Sequence, residues 1–338
     1  MRIHDPSSAA GRRYLVAAAL TLALLGRGAA RARDKVVVSL HFEIYAADLV
    51  IALDEGYFEA QGLDVEVVAW SHSTAMLPAL AHGEIDFSST SSLSPSYINL
   101  IQRGAQIRLV AARSVHQVDA CPYVAFVARS ELIDSGRLSD FASLRGLRIA
   151  TTRTAPSFYY WARLLDRAGL TPEDVVLKAV PDDLKVEAIA RDLVDVATTI
   201  EPKVTRLVSS GDGKVWLPVA AATPDRQNTF LLFGPRLLQR RDLGRRVMTA
   251  YLAGRAQYLE GKTDRNVKIL AARTHMTEDE VRAMCWPAQS ADPHIDAAGL
   301  EDFQKWALGE GLIDAIVPYS TLVDDGFLGP APSAVPTQ

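Results

Sequence analysis

A short apolar run followed by a helical stretch recurs along this chain often enough to dictate its architecture. Residues 35–40, KVVVSL, read as a buried strand. Residues 46–61 then read as a helix with an apolar stripe, stopped by Gly62. Residues 63–70 form a second strand, 74–82 a helix stopped by Gly83, and 85–88 a short strand. Residues 95–103 give a helix stopped by Gly104, and 107–112 a further strand. This βαβαβαβ order implies a parallel sheet with covering helices. The order then restarts. Residues 147–151, 175–180 and 194–199 read as strands, and 157–168 (closed by Gly169) and 183–191 as helices. Two α/β units of similar construction follow, with residues 123–129 and 229–234 read as crossovers between them. The chain thereafter is mostly helical, over 245–260, 267–274, 278–284 and 297–308.

The length of 338 residues suits two domains of about 100–200 residues each. Residues 1–32 are set apart from both. Arg12 and Arg13 precede the apolar run of residues 14–25, and Ala30-Arg31-Ala32 matches an A-x-A cleavage pattern, which predicts a secretory signal peptide. A twelve-residue run is short of the roughly 20 needed to span a bilayer. Gly11 stands where a twin-arginine signal carries Ser or Thr, so ordinary secretion is the expectation. Residues 331–338 are Pro-rich and expected to be disordered.

Of 36 basic and 40 acidic side chains, residues 1–32 hold five and one, so the remainder carries a formal charge of −8. That balance argues against nucleic acid, whose binding rests on neutralising phosphates. Local backbone dipoles can still bind an anion. Cys121 and Cys285 are the chain's two cysteines. A secreted location permits a bridge, and buried free thiols fit the sequence equally well. No CxxC or Cys/His cluster supports a metal, and no cofactor is expected. The sequence holds no G-x-S-x-G, no HExxH and no P-loop, so no enzyme chemistry is assigned.

Three strand ends run into Ser/Thr-rich loops that precede helices: residues 71–74, 88–92 and 151–154. Hydroxyls and free N–H groups at a helix start attract anions and polar acceptors. In open α/β sheets ligands bind beyond the carboxyl ends of the strands. Ser and Thr are also ordinary helix caps. Three such loops in register with strand ends favour a ligand site.

The segment ALDEGYFEAQGLDVE (residues 52–66) resembles the signature of the periplasmic binding proteins for taurine, alkanesulfonates, nitrate and thiamine-related pyrimidines. ALAHGEIDF (79–87), LRGLRIA (144–150), ARDLVDVATTIEP (190–202) and EGLI (310–313) are similar to further markers of that group, in the same order. Arg191-Asp192-Leu193 departs from the group's usual glycine before its valine-aspartate pair. The resemblance implies an α/β protein with the type II periplasmic-binding-protein fold, two lobes joined by a two-segment hinge. Lobe I would comprise residues 33–122 and 230–330, and lobe II residues 123–229. It implies a monomer in the periplasm that captures a small molecule between the lobes and works with an ABC importer permease. Carried onto matching positions, the ligand contacts would be His41, Phe42, Glu43, Ser73, Thr74, Ser89, Thr90, Ser91, Thr152, Arg153, Ser157, Phe158 and Glu201.

Hydroxyl-rich helix starts and Arg153 point to a sulfonate-like anion. The aromatic residues and Glu43 point instead to a flat pyrimidine. A sensor that feeds a receptor is a further alternative. A pyrimidine synthase of the same fold relies on a cysteine cluster, which two cysteines cannot supply.

Overall fold

Two five-stranded sheets carry the fold, each built from one of the α/β units. The computed structural model describes residues 33–40, 43–69, 75–290 and 292–329, apart from the side chains of residues 90 and 91. The segments read as signal peptide and disordered tail lie outside the described residues. The first sheet contains β1 (Asp34–Ser39), β2 (Leu63–Val68), β3 (Phe87–Ser92) and β4 (Arg108–Ala112). The second contains β6 (Val124–Arg129), β7 (Arg148–Ala150), β8 (Val176–Lys178), β9 (Val196–Ile200) and β10 (Gly213–Pro218). A two-stranded ribbon, β5 (Val115–His116) with β11 (Arg226–Gln227), joins them, and β12 (Thr229–Phe233) returns to the first sheet. The first sheet runs β2-β1-β3-β12-β4 and the second β10-β6-β9-β7-β8.

Strands β1, β2 and β3 are parallel, as are β7, β8 and β9. The helices that follow them fill the crossovers parallel strands require. In the first unit these are α1 (Ala47–Asp54), α2 (Tyr57–Ala60), α3 (Leu77–His82) and α4 (Pro95–Gln102). In the second, α5 (Ser130–Asp134) precedes α6 (Phe158–Arg167), α7 (Lys185–Ala190) and α8 (Lys203–Ser210). The C-terminal part adds α9 (Pro235–Gln239), α10 (Arg241–Tyr258), α11 (Asp264–Thr274), α12 (Glu278–Ala283), α13 (Ala297–Gly309) and α14 (Tyr319–Leu322).

Each sheet is covered on both faces. Val36, Val38 and Phe87 pack with α1 and α10 on one side of the first sheet, and Leu109 and Leu232 with α3, α4 and α13 on the other. Helices α1 and α10 meet at Gly254, where a Cβ would lie 2.5 Å from both Ala52 Cβ and the Asp48 carbonyl. In the second sheet, fully buried Trp161 of α6 lies 4.6 Å from Phe126, ring centre to ring centre. Ala188 and Ile189 of α7 cover the opposite face with Ala197.

Three sequence expectations are corrected. The helix expected over residues 46–61 is broken by Gly56, which has φ +73°, so its stripe is divided between α1 and α2. Residues 123–129 and 229–234 are not crossovers. They form β6 and β12, antiparallel strands inside the sheets, and the crossing is made just outside them by the β5–β11 ribbon. The Ser/Thr-rich loop expected over 88–92 is strand, because β12 pairs with β3 out to Thr229↔Ser92. The cap of α4 falls instead on Ser94, whose Oγ accepts from the Ser96 N–H.

Candidate functional site

The parallel strands of both sheets end in buried hydroxyls. Ser39 closes β1, and Ser88 lies level with it on β3. Ser39 and the following Ser89 are at most 1% exposed, and neither Oγ has a partner. In the second sheet, Ala150 at the end of β7 pairs with Ala197 of β9. Thr198 and Thr199 therefore stand level with Thr151 and Thr152. Thr198 and Thr199 are each 5% exposed and their hydroxyls have no partner. Burying a hydroxyl unpaired costs about 1–3 kcal/mol, so these four groups at strand ends are candidates for contact with a ligand or with water.

A buried ion pair sets the first of these strand ends in place. Arg113, just after β4, pairs with Asp48 of α1. Its other N–H groups donate to the Ser89 carbonyl and, at 3.0 Å, to the Tyr45 carbonyl. The turn after β1 and the strand β3 are thereby tied to one guanidinium. Burial works against the charge of Arg113, and the Asp48 carboxylate more than offsets it, holding its pKa above the ordinary value.

The two lobes touch through α6 and α13. Tyr159 of α6 packs 5.1 Å from Phe303 and 4.8 Å from Trp306. Asp302 of α13 accepts from Tyr159 Oη at 3.1 Å, from Arg163 at 2.7 Å and from Arg226 of the ribbon at 2.6 Å. At the hinge, Ser114 Oγ, Tyr123 Oη and Thr229 Oγ1 form a chain of 2.8 Å contacts, and Asn228 donates to Tyr123 Oη. Cys121 and Cys285 are bridged, which decides the alternative the sequence left open.

His116 of the ribbon is fully enclosed beside Tyr160, 5.3 Å away, with Nδ1 3.0 Å from Thr223 Oγ1. Burial, reinforced by the charge of Arg226, pushes its pKa down to about 3. The unfolded chain takes up a proton near pH 6.5 while the folded chain does not. Stability is therefore full above pH 6.5 and falls as pH drops toward 3. At pH 5.5 the expected loss from this residue is about 1.4 kcal/mol. Urea midpoints measured from pH 7.5 to 5.5 should fall less for His116→Gln than for the native chain.

The structure places the expected contacts unevenly. His41, Phe42, Ser73 and Thr74 lie outside the described residues, as do the side chains of Thr90 and Ser91. Glu43 is half-buried ahead of the turn Ile44–Ala46 and makes no cap bond. Burial, with the Glu43 charge nearby, raises the pKa of Tyr45. Thr152, Arg153, Ser157 and Phe158 are brought together after β7, with Ser157 Oγ 3.1 Å from Thr151 Oγ1. Arg153 pairs with Glu173 and, at 3.5 Å, with Glu310 beyond α13. Phe158 is buried 6.2 Å from Trp306. Glu201 accepts the Thr205 N–H and hydroxyl, both at 2.9 Å, and the Cys285 N–H at 3.2 Å. Sequence reading missed Arg113, Asp48, Thr198 and Thr199. A charged residue closing the apolar run of 107–112, and a Thr pair ahead of Glu201-Pro202, were the available signals.

Among the described residues no helix is long and apolar enough to cross a membrane, and no group of three or more His, Cys, Asp or Glu side chains stands where it could hold a metal ion. No curated protein sequence matches the chain. Its fold is similar to that of the periplasmic aliphatic sulphonate binding protein SsuA from Escherichia coli, with TM-score 0.71, 15% identity and coverage of 86% of this chain and 97% of that one. It is similar to the periplasmic nitrate-binding protein NrtA from Synechocystis PCC 6803, with TM-score 0.67, 14% identity and 87% of each chain covered. The desulfurization enzyme DSZB shares the fold as well, with TM-score 0.63, 15% identity and coverage of 88% and 98%. At these identities the likeness establishes the two-lobed binding-protein fold. The sequence itself matches the family model described as NMT1/THI5 like over residues 43–283, and the chain belongs to that family.

Proposed function

We propose that this protein is a periplasmic solute-binding protein that captures a small organic molecule between its lobes and delivers it to an ABC importer permease. A sulfonate-like anion is the favoured ligand. One observation carries the reading. Both sheets end their parallel strands in buried hydroxyls without partners, Ser39 and Ser89 in one lobe, Thr198 and Thr199 in the other. Strand carboxyl ends are where open α/β sheets bind ligands. The family and the sulphonate- and nitrate-binding neighbours support the same reading. Fold alone does not separate capture from catalysis, since a desulfurization enzyme shares it. Both cysteines of this chain are bonded to each other, so neither serves as a thiolate nucleophile. In this reading His41, Phe42, Glu43, Ser73, Thr74 and Ser89–Ser91 line the first lobe's wall, and Thr152 and Ser157 the second's. Arg153, Phe158 and Glu201 tie the two lobes together through Glu310, Trp306 and Cys285.

A flat pyrimidine is the second reading, favoured by the half-buried Glu43 carboxylate. Melting of residues 33–338 against sulfonates, nitrate, carboxylates, pyrimidines and amino acids tests both. A ligand at 100 times its dissociation constant adds about 2.7 kcal/mol of stability. The expected result is a clear shift with a sulfonate or carboxylate and none with amino acids. A shift with pyrimidines alone would replace the anion by the heterocycle, and no shift with any class would overturn solute capture.

A further inference from the structure

We propose that Lys185, with the hydroxyl of Thr199, forms a seat for a single monoanionic head group, a sulfonate or carboxylate, at the end of β9. The proposal rests on the capture reading above and names the group that selects the ligand's charge.

Lys185 opens α7 and is only 4% exposed. Lysine is almost never this buried unless it is paired. Its carboxylate partner is Asp182, 2.5 Å away, whose own side chain is 79% exposed. A pair with a solvated carboxylate is weakly stabilising, so Asp182 alone does not account for an ammonium held in the interior. The ammonium also donates to the Thr198 carbonyl at 3.3 Å, which fixes it over the end of β9. An ammonium has three donors, and these two contacts leave one.

The hydroxyls beside it are in the same condition. Side chains alternate across a strand. Ala197 packs with Ala188 and Ile189 of α7, so Thr199 lies on the face that carries Lys185. Thr198 lies on the opposite face, with Val196 and the residues around α6. Both threonines are 5% exposed and both hydroxyls are unpartnered. A head group with several acceptor oxygens satisfies the remaining ammonium donor and the Thr199 hydroxyl together. A ligand amine would face the ammonium and be repelled.

Lys185 suits a head group with one negative charge. Arg113 is neutralised by Asp48, and Arg153 is shared by Glu173 and Glu310. Lys185 adds one positive charge, already partly offset by Asp182. A monoanion suits that balance and a phosphate dianion does not.

Calorimetric titration of residues 33–338 with ethanesulfonate, acetate, inorganic phosphate and 4-amino-2-methylpyrimidine tests the seat. The native chain should bind ethanesulfonate or acetate more tightly than phosphate. Lys185→Gln should weaken that binding about 10- to 100-fold. Lys185→Arg should restore most of it, Thr199→Val should weaken it less than Lys185→Gln does, and Thr198→Val, on the other face of β9, should leave it unchanged. Lys185→Met keeps the buried stem and serves as the second variant if the glutamine chain fails to fold. Equal affinity of native chain and Lys185→Gln for the anion would overturn the seat and leave anion capture standing. Binding of the pyrimidine alone, unchanged by Lys185→Gln, would overturn the anionic class and leave capture standing. Binding of none of the four probes by the native chain would overturn the seat, and the broader melting panel then decides on capture itself.

Discussion

Asp48→Ala is expected to cost about 3–5 kcal/mol of stability, because it strips a buried guanidinium of its carboxylate partner. Asp48 is fully buried and Arg113 is 1% exposed. The carboxylate does more than neutralise Arg113. Its oxygens also accept from Tyr251 Oη at 3.1 Å, from Gln289 Nε2 at 3.0 Å and from the Leu49 N–H at 2.8 Å. Tyr251 and Leu49 are buried and Gln289 half-buried, and each would lose that acceptor. Arg113 would still reach the Ser89 and Tyr45 carbonyls, yet two neutral acceptors do not replace a charge. The double variant Asp48→Leu with Arg113→Met removes both charges, and it should be less destabilised than Asp48→Ala alone. Urea unfolding of the three chains gives the comparison. A cost below about 1 kcal/mol for Asp48→Ala would mean that water reaches the guanidinium, contrary to its burial. The variant should also lose ligand affinity. Ser89, whose carbonyl Arg113 holds, belongs to the proposed wall of the first lobe, and loosening it adds an ordering cost to binding.

The layered α/β plan was legible because it rests on local physics. Runs such as VVVS at residues 36–39 and VAT at 196–198 have no polar face to offer water, and Gly83 and Gly169 adopt the positive φ that ends their helices. The strand β3 was not legible beyond residue 88. FSSTSS is polar on both faces, and only its pairing with β12, some 140 positions later, makes it a strand. Residues 123–129 and 229–234 were misread for a related reason. An apolar run shows burial, but not which sheet it enters or in which direction. Of the three hydroxyl-rich loops read from the sequence, 151–154 follows β7 as expected, 88–92 is strand, and 71–74 lies outside the described residues. The buried charges near the strand ends did not show. Lys185 reads as a surface lysine on an amphipathic helix, and Arg113 as the polar end of a strand. Their roles come from Thr198 and Asp48, brought to them by the fold.

Removing the disulfide is expected to lower stability by about 2–5 kcal/mol while leaving the ligand site intact. Cys121 and Cys285 are 164 residues apart, so their bridge closes a very long loop in the unfolded chain. The entropy such a link removes from that state grows with loop length and reaches about 4.7 kcal/mol for 100 residues. The bridge joins the segment between β5 and β6 to the segment after α12. That junction is held independently in the folded state. The Glu201 carboxylate accepts the Cys285 N–H, the Val115 N–H donates to the Ala288 carbonyl, and Ser114 pairs with Gln289. With those contacts present, the native geometry does not depend on the covalent link. Cys121→Ser with Cys285→Ser should therefore melt earlier, bind the same ligand within about twofold, and scatter X-rays with an unchanged radius of gyration. A lower melting temperature with a wider scattering profile and weaker binding would show that the bridge restrains the hinge in the folded protein. An unchanged melting temperature would mean that the bridge removes little entropy from the unfolded chain, against the loop-closure argument.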